Sequence, residues 1–456
     1  MIQAQEKLEV SRLNQWLDLA QGSTPLKTPG LQQRLQQQLQ HLRTDAAATI
    51  RGLAIPTRQD EDWRFMDLSA LLQIQFQAPP PVSLSLDDIT GLTLPETNQS
   101  RLVFVNGIYH PELSNTQALP PEVFVGNLAT LPDHLAETLE DDLAQPCPSQ
   151  EIFTSLNTAG LIDGAVIWVG KNQVVDTPIQ VLLIATSEKQ ANFNQPRVLV
   201  RAEAGSLVTV VEHFGTIALG CSDHQTQGEP YFTNAVAQFW LAENAEVNHV
   251  RIQRDGGNAF HIGRTAVFQG RSSRYRSHAI SLGGGLSRHN LDVYQTGEAT
   301  ETVLNGLTLT KQTQRADTHS ALFLNYPQGR YSQVHKLIAD DQSSGVFNGR
   351  VIVPQSAQFT NASQLSQNLL LSPQARVNTK PQLEITADDV KCSHGATVSQ
   401  LEEDEIFYLR SRGLDEETSR RLLVDGFSGE LINQIPLESL RTMLSRCVAC
   451  RVDLGL

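Results

Sequence analysis

A repeated pattern begins at Val198-Leu-Val-Arg-Ala-Glu-Ala-Gly205-Ser-Leu-Val-Thr-Val210. An apolar run is followed by a short break, and a small residue then begins the next run of alternating side chains. The same form returns in Phe239-Trp-Leu-Ala-Glu-Asn-Ala245-Glu-Val-Asn-His-Val250, and again around Ala357 and Ala375. Between about residues 165 and 401, no helical pattern of ten or more residues interrupts these segments. The region is therefore predicted to be mainly β.

The spacing of this pattern favours a β-solenoid, in which short coils stack into a continuous column. Ala357 and Ala375 are 18 positions apart, and Gly205 and Ala245 are 40 apart, which predicts coils of about twenty residues. A single coil cannot close its own core, so neighbouring coils must stack. A large β-sandwich with regularly spaced strands is the alternative that periodicity leaves open. Because a solenoid has open ends that can pair with another chain, the pattern also predicts a cap or a partner.

Helical patterns flank the β region on both sides. Leucines recur at helical spacing before residue 50, at Leu31, Leu35, Leu39 and Leu42. Near the C-terminus, an acidic first turn leads into a helix that Gly413 is expected to end, and Asp415 begins another. We therefore predict an N-terminal helical and mixed domain at 1–155, a β core at 156–398 and a helical C-terminal domain at 399–456.

Composition limits the classes of partner. The formal net charge of the 456-residue chain is −14, which argues against nucleic acid or an anionic membrane surface as a partner. No stretch approaches the roughly 18 consecutive apolar residues of a transmembrane helix. The N-terminus lacks the pattern of a secretory signal peptide, so a cytoplasmic location is expected.

Motifs of several enzyme classes are absent from the sequence. There is no P-loop, so any use of ATP is expected to come from a partner. The Gly-x-Ser-x-Gly elbow and the His-Glu-x-x-His motif are also missing, and Gly283-Gly284-Gly285 is interpreted as a turn or bulge. A β-helix carbohydrate-active enzyme is the alternative function. It would need carboxylates from different coils to face one groove, whereas the adjacent acids Asp340-Asp341 and Asp388-Asp389 are interpreted as solvated turns.

The segment Lys391-Cys392-Ser393-His394 carries the strongest local chemistry. Cys392 and His394 are two positions apart, so in an extended strand they point to the same face. A thiolate beside an imidazole can bind iron or zinc or form a nucleophilic pair, and Lys391 would favour the thiolate. A buried cysteine and a hydrogen-bonded histidine without a ligand role is an equally good interpretation, because two ligands do not close a metal site.

The other cysteines give weaker signals. Five cysteines in a chain of this length are not a disulfide framework, and they suit a reducing compartment. Cys447 and Cys450 form a Cys-x-x-Cys pair that could complete a four-ligand zinc site with the Cys-x-His segment. Incidental thiols on a C-terminal helix are the favoured interpretation. Cys147 and Cys221 have no partner pattern.

Longer motifs make the chain resemble a known family. Leu383-Glu-Ile-Thr-Ala-Asp-Asp-Val-Lys-Cys-Ser-His-Gly-Ala-Thr397, followed by Ile406-Phe-Tyr-Leu-Arg-Ser-Arg-Gly413, closely resembles the signature of the SufB/SufD family of iron–sulfur cluster assembly scaffold proteins. Further similar segments are Gly345-Val-Phe-Asn-Gly349, Ala357-Gln-Phe-Thr-Asn-Ala-Ser-Gln364 and, near the N-terminus, Glu61-Asp-Trp-Arg-Phe65. The Cys-Ser-His-Gly form, and Leu409 in the helix that follows, resemble the SufD branch more than the SufB branch.

This resemblance implies a right-handed parallel β-helix and a non-catalytic scaffold subunit of the SUF system. It implies two partners, namely SufB, which pairs through the β-helix, and SufC, which supplies the ATPase. By motif match, His394 and Cys392 would contact a transient iron–sulfur cluster at the SufB–SufD junction, with none held stably by this chain alone. The segment similar to the one that docks SufC contains Phe407, Arg410, Arg412 and Gly413. The isolated chain could be a monomer or a homodimer.

Overall fold

The computed structural model describes residues 2–22, 33–144, 151–186, 190–217 and 228–451. Leu31, Cys147 and Cys221 lie outside these residues. The helices of the N-terminal part are α1 (Ile2–Gly22), α2 (Gln33–Ile50), α3 (Ser69–Gln73), α4 (Leu86–Ile89), α5 (Asp133–Ala144) and α6 (Ile152–Ala159). Leu35 and Leu39 of α2 are buried, as expected for an apolar stripe.

Two long β-sheets form the body of the protein. The earlier strands are β1 (Arg101–Val105), β2 (Ile108–Tyr109), β3 (Val123–Asn127), β4 (Ala165–Val169), β5 (Ile179–Ala185), β6 (Asn192–Asn194) and β7 (Arg197–Ala202). The later strands are longer: β8 (Leu207–Thr216), β9 (Tyr231–Leu241), β10 (Glu246–Arg254), β11 (Phe260–Gln269), β12 (Arg274–Leu282), β13 (Leu286–Gln295), β14 (Glu301–Thr310), β15 (Arg315–Phe323), β16 (Arg330–Ala339), β17 (Ser344–Val353), β18 (Asn361–Leu370), β19 (Arg376–Ile385) and β20 (Lys391–Gln400).

The strand order is that of a parallel β-solenoid. Sheet I runs β2-β1-β5-β8-β10-β12-β14-β16-β18-β20, and sheet II runs β19-β17-β15-β13-β11-β9-β7-β4-β3. From β7 onward, successive strands alternate between the sheets, and each pairs in parallel with the strand two positions later. The antiparallel pairs β1–β2 and β3–β4 lie at the opposite end of the sheets from β19 and β20. The predicted solenoid is therefore confirmed, and the antiparallel sandwich is excluded.

A full coil is longer than the sequence spacing suggested. Partner residues in β18 and β20 are 30 positions apart. Ala357 and Ala375 precede β18 and β19, which lie in different sheets, so their spacing measures only part of a coil. Gly205 and Ala245 precede β8 and β10, which pair directly, so they are one coil apart and not two. The prediction of coils of about twenty residues was wrong, because each coil contributes a strand to both sheets.

Small residues make the corners of the coils. Ala245 and Ala357 are fully buried where the chain turns into the next strand. Gly283 and Gly284 have φ angles of +122° and +78°, and a Cβ on Gly283 would collide with the backbone oxygen of Asp255. The glycine run is therefore a tight turn, as interpreted from the sequence.

Three C-terminal helices follow β20: α7 (Glu403–Ser411), α8 (Glu416–Ile432) and α9 (Glu438–Arg451). Of these, α8 and α9 cover the outer face of sheet I. Gly413 follows α7 with a φ of +96°, as a C-terminal glycine cap does. Asp415 caps α8, since its Oδ1 accepts a hydrogen bond from the N–H of Thr418 at 2.7 Å. Leu440 of α9 and Val424 of α8 pack against apolar side chains of the sheet.

The N-terminal part is continuous with the solenoid. β1 already pairs in parallel with β5, and Trp16 of α1 packs against Phe153 of α6 and Phe232 of β9. The domain boundaries after 155 and 398 stay predictions. No helix in the described part of the chain combines the length and the apolar character needed to cross a bilayer.

Candidate functional site

Both sheets end at β19 and β20, and we call this end of the solenoid the open end. Within the described residues, β19 pairs only with β17 and β20 only with β18, so each leaves one edge without a partner strand. The open end also exposes apolar side chains: Ile385 is 37% exposed and Val398 is 52% exposed. An edge of this kind presents rows of N–H and C=O groups to another chain.

Cys392 and His394 lie in β20, at the open end. Cys392 is in register with Ala362 of β18, and His394 is in register with Gln364. Ala362 and Gln364 are buried in the interior of the solenoid, which we call the lumen. Cys392 and His394 therefore extend two rows of lumen-facing positions, and they share one face, as the spacing predicted. Cys392 is half-buried against the apolar core, and His394 is exposed.

The Cys392 thiol is less acidic than the sequence suggested. Burial raises the pKa of Cys392, and a backbone hydrogen bond at Ala362 offsets only part of this effect. Lys391 precedes Cys392 in an extended strand, so its side chain points to the opposite face of the sheet. The prediction that Lys391 favours the thiolate was wrong. A metal ion bound here would have to displace the thiol proton.

These two side chains do not make a complete metal site. In the part of the chain that the structure describes, no group of three or more His, Cys, Asp or Glu side chains could hold a metal ion. Cys447 of α9 is buried in the cluster on the outer face of sheet I, whereas Cys392 faces the lumen. The four-ligand zinc site considered from the sequence is therefore not formed among the described residues.

A polar network behind the site was missed by sequence reasoning. Gln364 Nε2 donates to Oε1 of Gln333 at 2.8 Å, and Gln333 Nε2 donates to the hydroxyl of Ser320 at 3.0 Å. The hydroxyl of Tyr331 also donates to Gln333. Strand pairing relates Gln333, Gln364 and His394 at spacings of 31 and 30 residues, which the predicted coil of about twenty residues does not contain.

The predicted docking segment forms an exposed patch on α7 and its C-cap residue, which we call the α7 patch: Phe407, Tyr408, Arg410 and Arg412. Phe407 is 72% exposed, whereas Ile406 beside it is buried and anchors the helix. The guanidinium of Arg412 lies 5.3 Å from the centre of the Tyr408 ring. Arg410 forms an exposed ion pair with Glu416 at 3.2 Å. The aromatic and cationic side chains resemble those enriched at protein interfaces.

Comparison with known proteins identifies the family. Residues 183–427 match the profile described as "SUF system FeS cluster assembly, SufBD core domain", and residues 25–181 match the "SufBD protein N-terminal region". A SufBD family iron–sulfur cluster assembly protein of Synechocystis is 48% identical over 409 residues, which are 90% of each chain. The iron–sulfur cluster assembly protein SufD of Escherichia coli is 31% identical over 448 residues, covering 97% of each chain. "Protein ABCI7, chloroplastic" of Arabidopsis thaliana is 35% identical over 88% of this chain and 84% of its own. The chain therefore belongs to the SufBD family of iron–sulfur cluster assembly proteins.

Proposed function

We propose that this chain is a non-catalytic scaffold subunit of the SUF machine, and that iron–sulfur clusters form at its open end. The observation that carries the proposal is the position of Cys392 and His394, which end two lumen-facing rows at a sheet edge. Cysteine sulfur and imidazole nitrogen are ligands that iron–sulfur clusters accept in proteins. Membership of an assembly family also removes the reason to prefer a carbohydrate-active enzyme.

In this proposal, SufB pairs with the chain at the open end. The free N–H and C=O groups along β19 and β20 can template a further strand. Ile385 and Val398 add exposed apolar surface at the same place. A second copy of the chain would meet the same edge, so a homodimer is expected when SufB is absent.

The cluster is expected to be transient and shared between two chains. This chain contributes two ligands, whereas a cluster usually takes four, so SufB has to supply the rest. The raised pKa of Cys392 means that the thiol gives up its proton when iron arrives. Because this chemistry needs reduced thiols, we assign the complex to the cytoplasm.

SufC is the second partner, and the α7 patch is its docking surface in this proposal. The exposed ring of Phe407 is a suitable anchor for a pocket on a partner, and Arg412 is held over Tyr408. Gly413 ends the helix and turns the chain sharply toward α8. ATP hydrolysis belongs to SufC, since this chain has no P-loop.

A capture experiment tests both interfaces at once. The tagged chain is mixed with SufB and SufC, with and without ATP, and the bound proteins are quantified. Val398→Arg places a charge at the open end and is expected to lose SufB while keeping SufC. Phe407→Ala removes the anchor of the α7 patch and is expected to lose SufC while keeping SufB. Each variant is therefore the control for the other.

Val174→Arg is the surface control, because Val174 is 56% exposed and lies between β4 and β5, away from the open end. It is expected to bind both partners normally. Capture of neither partner by the folded parent chain would reject the scaffold proposal. Equal loss of both partners in each variant would reject the assignment of separate surfaces.

The role of His394 is tested by cluster formation in the assembled complex. Because His394 is exposed, His394→Ala should fold and bind both partners. We expect it to lower the cluster yield about ten-fold or more, since even the loss of a residue that only orients a ligand costs about 10–100-fold. Ser393→Ala alters the exposed neighbour on the opposite face of β20 and should leave the yield unchanged. An unchanged yield in His394→Ala would remove this residue from the site.

A further inference from the structure

A buried amide lies directly behind His394. Gln364 of β18 is the register partner of His394, so the two side chains point to the same face from strands about 4.8 Å apart. Gln364 is only 3% exposed, whereas His394 is exposed at the end of the row. Gln364 is therefore the polar side chain next to His394 in this row, one coil further into the solenoid.

The carboxamide of Gln364 has one oxygen without a partner. Its Nε2 donates to Gln333 Oε1 at 2.8 Å, in the strand on the side away from His394. Its Oε1 is buried and accepts no hydrogen bond from any residue that the structure describes. Buried carbonyl oxygens in proteins are nearly always hydrogen-bonded, so an oxygen of this kind calls for a donor.

The rest of the network keeps Gln364 in this orientation. Gln333 Oε1 also accepts a hydrogen bond from the hydroxyl of Tyr331, and Gln333 Nε2 donates one to the hydroxyl of Ser320 at 3.0 Å. The nitrogen and the oxygen of a carboxamide point in different directions, so a hydrogen bond that fixes the nitrogen also fixes the direction of the oxygen. Toward the open end, the next side chain in this row is the imidazole of His394, whose ring N–H is a donor.

We infer that Gln364 is a positioning residue for His394, an inference that rests on the proposed function. Oε1 of Gln364 accepts the N–H of one ring nitrogen when the open end is covered by SufB. The imidazole is then held as a single tautomer, and its other nitrogen is free to bind iron. Ligating histidines commonly donate their second N–H in this way, which fixes the ring and increases its basicity.

A glycine on the facing sheet leaves the space that Gln364 occupies. A Cβ on Gly349 of β17 would overlap Nε2 of Gln364. Gly349→Ala therefore moves the amide without changing its chemistry, and it gives a second way to disturb His394 from a distance.

The test compares two substitutions in the complete complex with SufB and SufC. Gln364→Met is close in length but has no amide, and we expect about ten-fold less cluster. Gln364→Glu keeps an acceptor oxygen, and as a neutral acid it can still donate to Gln333, so it should restore most of the yield. The second readout is the histidine ¹⁴N coupling of the reduced cluster in pulsed EPR, which a loss of stability alone would not shift. Gln367→Leu, on the opposite face of β18, is the control.

The outcomes separate this inference from the proposed function. A lower yield and a shifted ¹⁴N coupling in Gln364→Met, with recovery in Gln364→Glu, would support it. A normal yield and coupling in Gln364→Met, while His394→Ala loses the cluster, would overturn the role of Gln364 alone. A normal yield in His394→Ala would overturn both. If Gln364→Met does not bind SufB, then Gln364→Glu and Gly349→Ala decide: an unchanged coupling in Gly349→Ala overturns the inference.

Discussion

At the scale of single residues, contacts in the lumen decide the charge of buried side chains. Nη2 of Arg251 lies 2.7 Å from Nε2 of His261, and because arginine only donates, Nε2 must be the acceptor. The proton is then on Nδ1, which donates to Asp255 at 2.9 Å. Burial lowers the pKa of His261, so the ring is neutral. Burial opposes ionisation of Asp255, but His261 and neighbouring hydrogen bonds outweigh it and lower the pKa of Asp255.

Gly306 is predicted to be intolerant of a methyl group. A Cβ on Gly306 would overlap Nδ1 of His335, whose ring stacks on Phe347 with 4.4 Å between the ring centres. Overpacking of this kind costs about 1–3 kcal/mol, so Gly306→Ala should lower the urea midpoint of unfolding.

The matched control for this prediction is Gly395→Ala in β20. Its added methyl would lie 3.4 Å from Cδ1 of Leu365, which is an ordinary contact. We expect its midpoint to stay near that of the parent chain. Equal midpoints for the two variants would contradict the steric explanation.

At the scale of elements, one buried lysine joins α8 to the solenoid. Lys336 of β16 is 2% exposed, and its Nζ donates to the backbone oxygen of Phe427 at 3.0 Å. The same ammonium lies 4.5 Å from the centre of the Phe427 ring and pairs with Glu430. A buried charge requires such contacts, since an unpaired ammonium would be costly. The docking of α8 therefore depends on a specific polar contact in addition to apolar packing.

Lys336→Met is expected to loosen α8 without unfolding the solenoid. The loss of a charge-assisted hydrogen bond costs about 1.5–3 kcal/mol, so amide hydrogens of α8 should exchange faster than those of β16. The measurement is hydrogen exchange followed by mass spectrometry. Glu417→Gln is the control, because Glu417 is an exposed carboxylate in the first turn of α8. Equal exchange of α8 in Lys336→Met and the parent chain would refute the prediction.

At the scale of the whole molecule, buried histidines make the fold sensitive to acid. Burial lowers the pKa of His213 and His335 to about 3, and that of His278 to about 4. Burial also lowers the pKa of His261 and His289. These rings are neutral in the folded state, whereas in the unfolded chain they take up protons below about pH 6.5. Asp142 acts in the opposite direction, since burial raises its pKa to about 6.

Stability is therefore expected to fall as the pH drops from about 6.5 toward 4. The unfolded chain binds more protons in this window, and each buried histidine contributes a slope of up to about 1.4 kcal/mol per pH unit. The measurement is the urea midpoint at pH 7.5, 6.0 and 5.0. His335→Gln should flatten the dependence, while His41→Gln should not, because His41 is 69% exposed. A midpoint that is constant over this range would rule out the explanation.

Features that depend only on residues close together in the sequence were predicted correctly. The alternation of apolar side chains predicted the strands, Gly413 and Asp415 predicted helix ends, and the two-residue spacing of Cys392 and His394 predicted a shared face. Each of these depends on backbone geometry over a few residues. The role of these side chains in cluster assembly stays a prediction.

The sequence alone is enough to predict short strands with small residues at the corners, and it carries the motif of an iron–sulfur assembly family. The length of a coil depends instead on tertiary structure, because strand pairing joins residues about 30 positions apart in different coils. Tertiary structure also makes the Cys392 thiol less acidic, since burial raises its pKa. The pairing of Gln364 with His394 was set in the same way, by stacking of coils and not by neighbours along the chain.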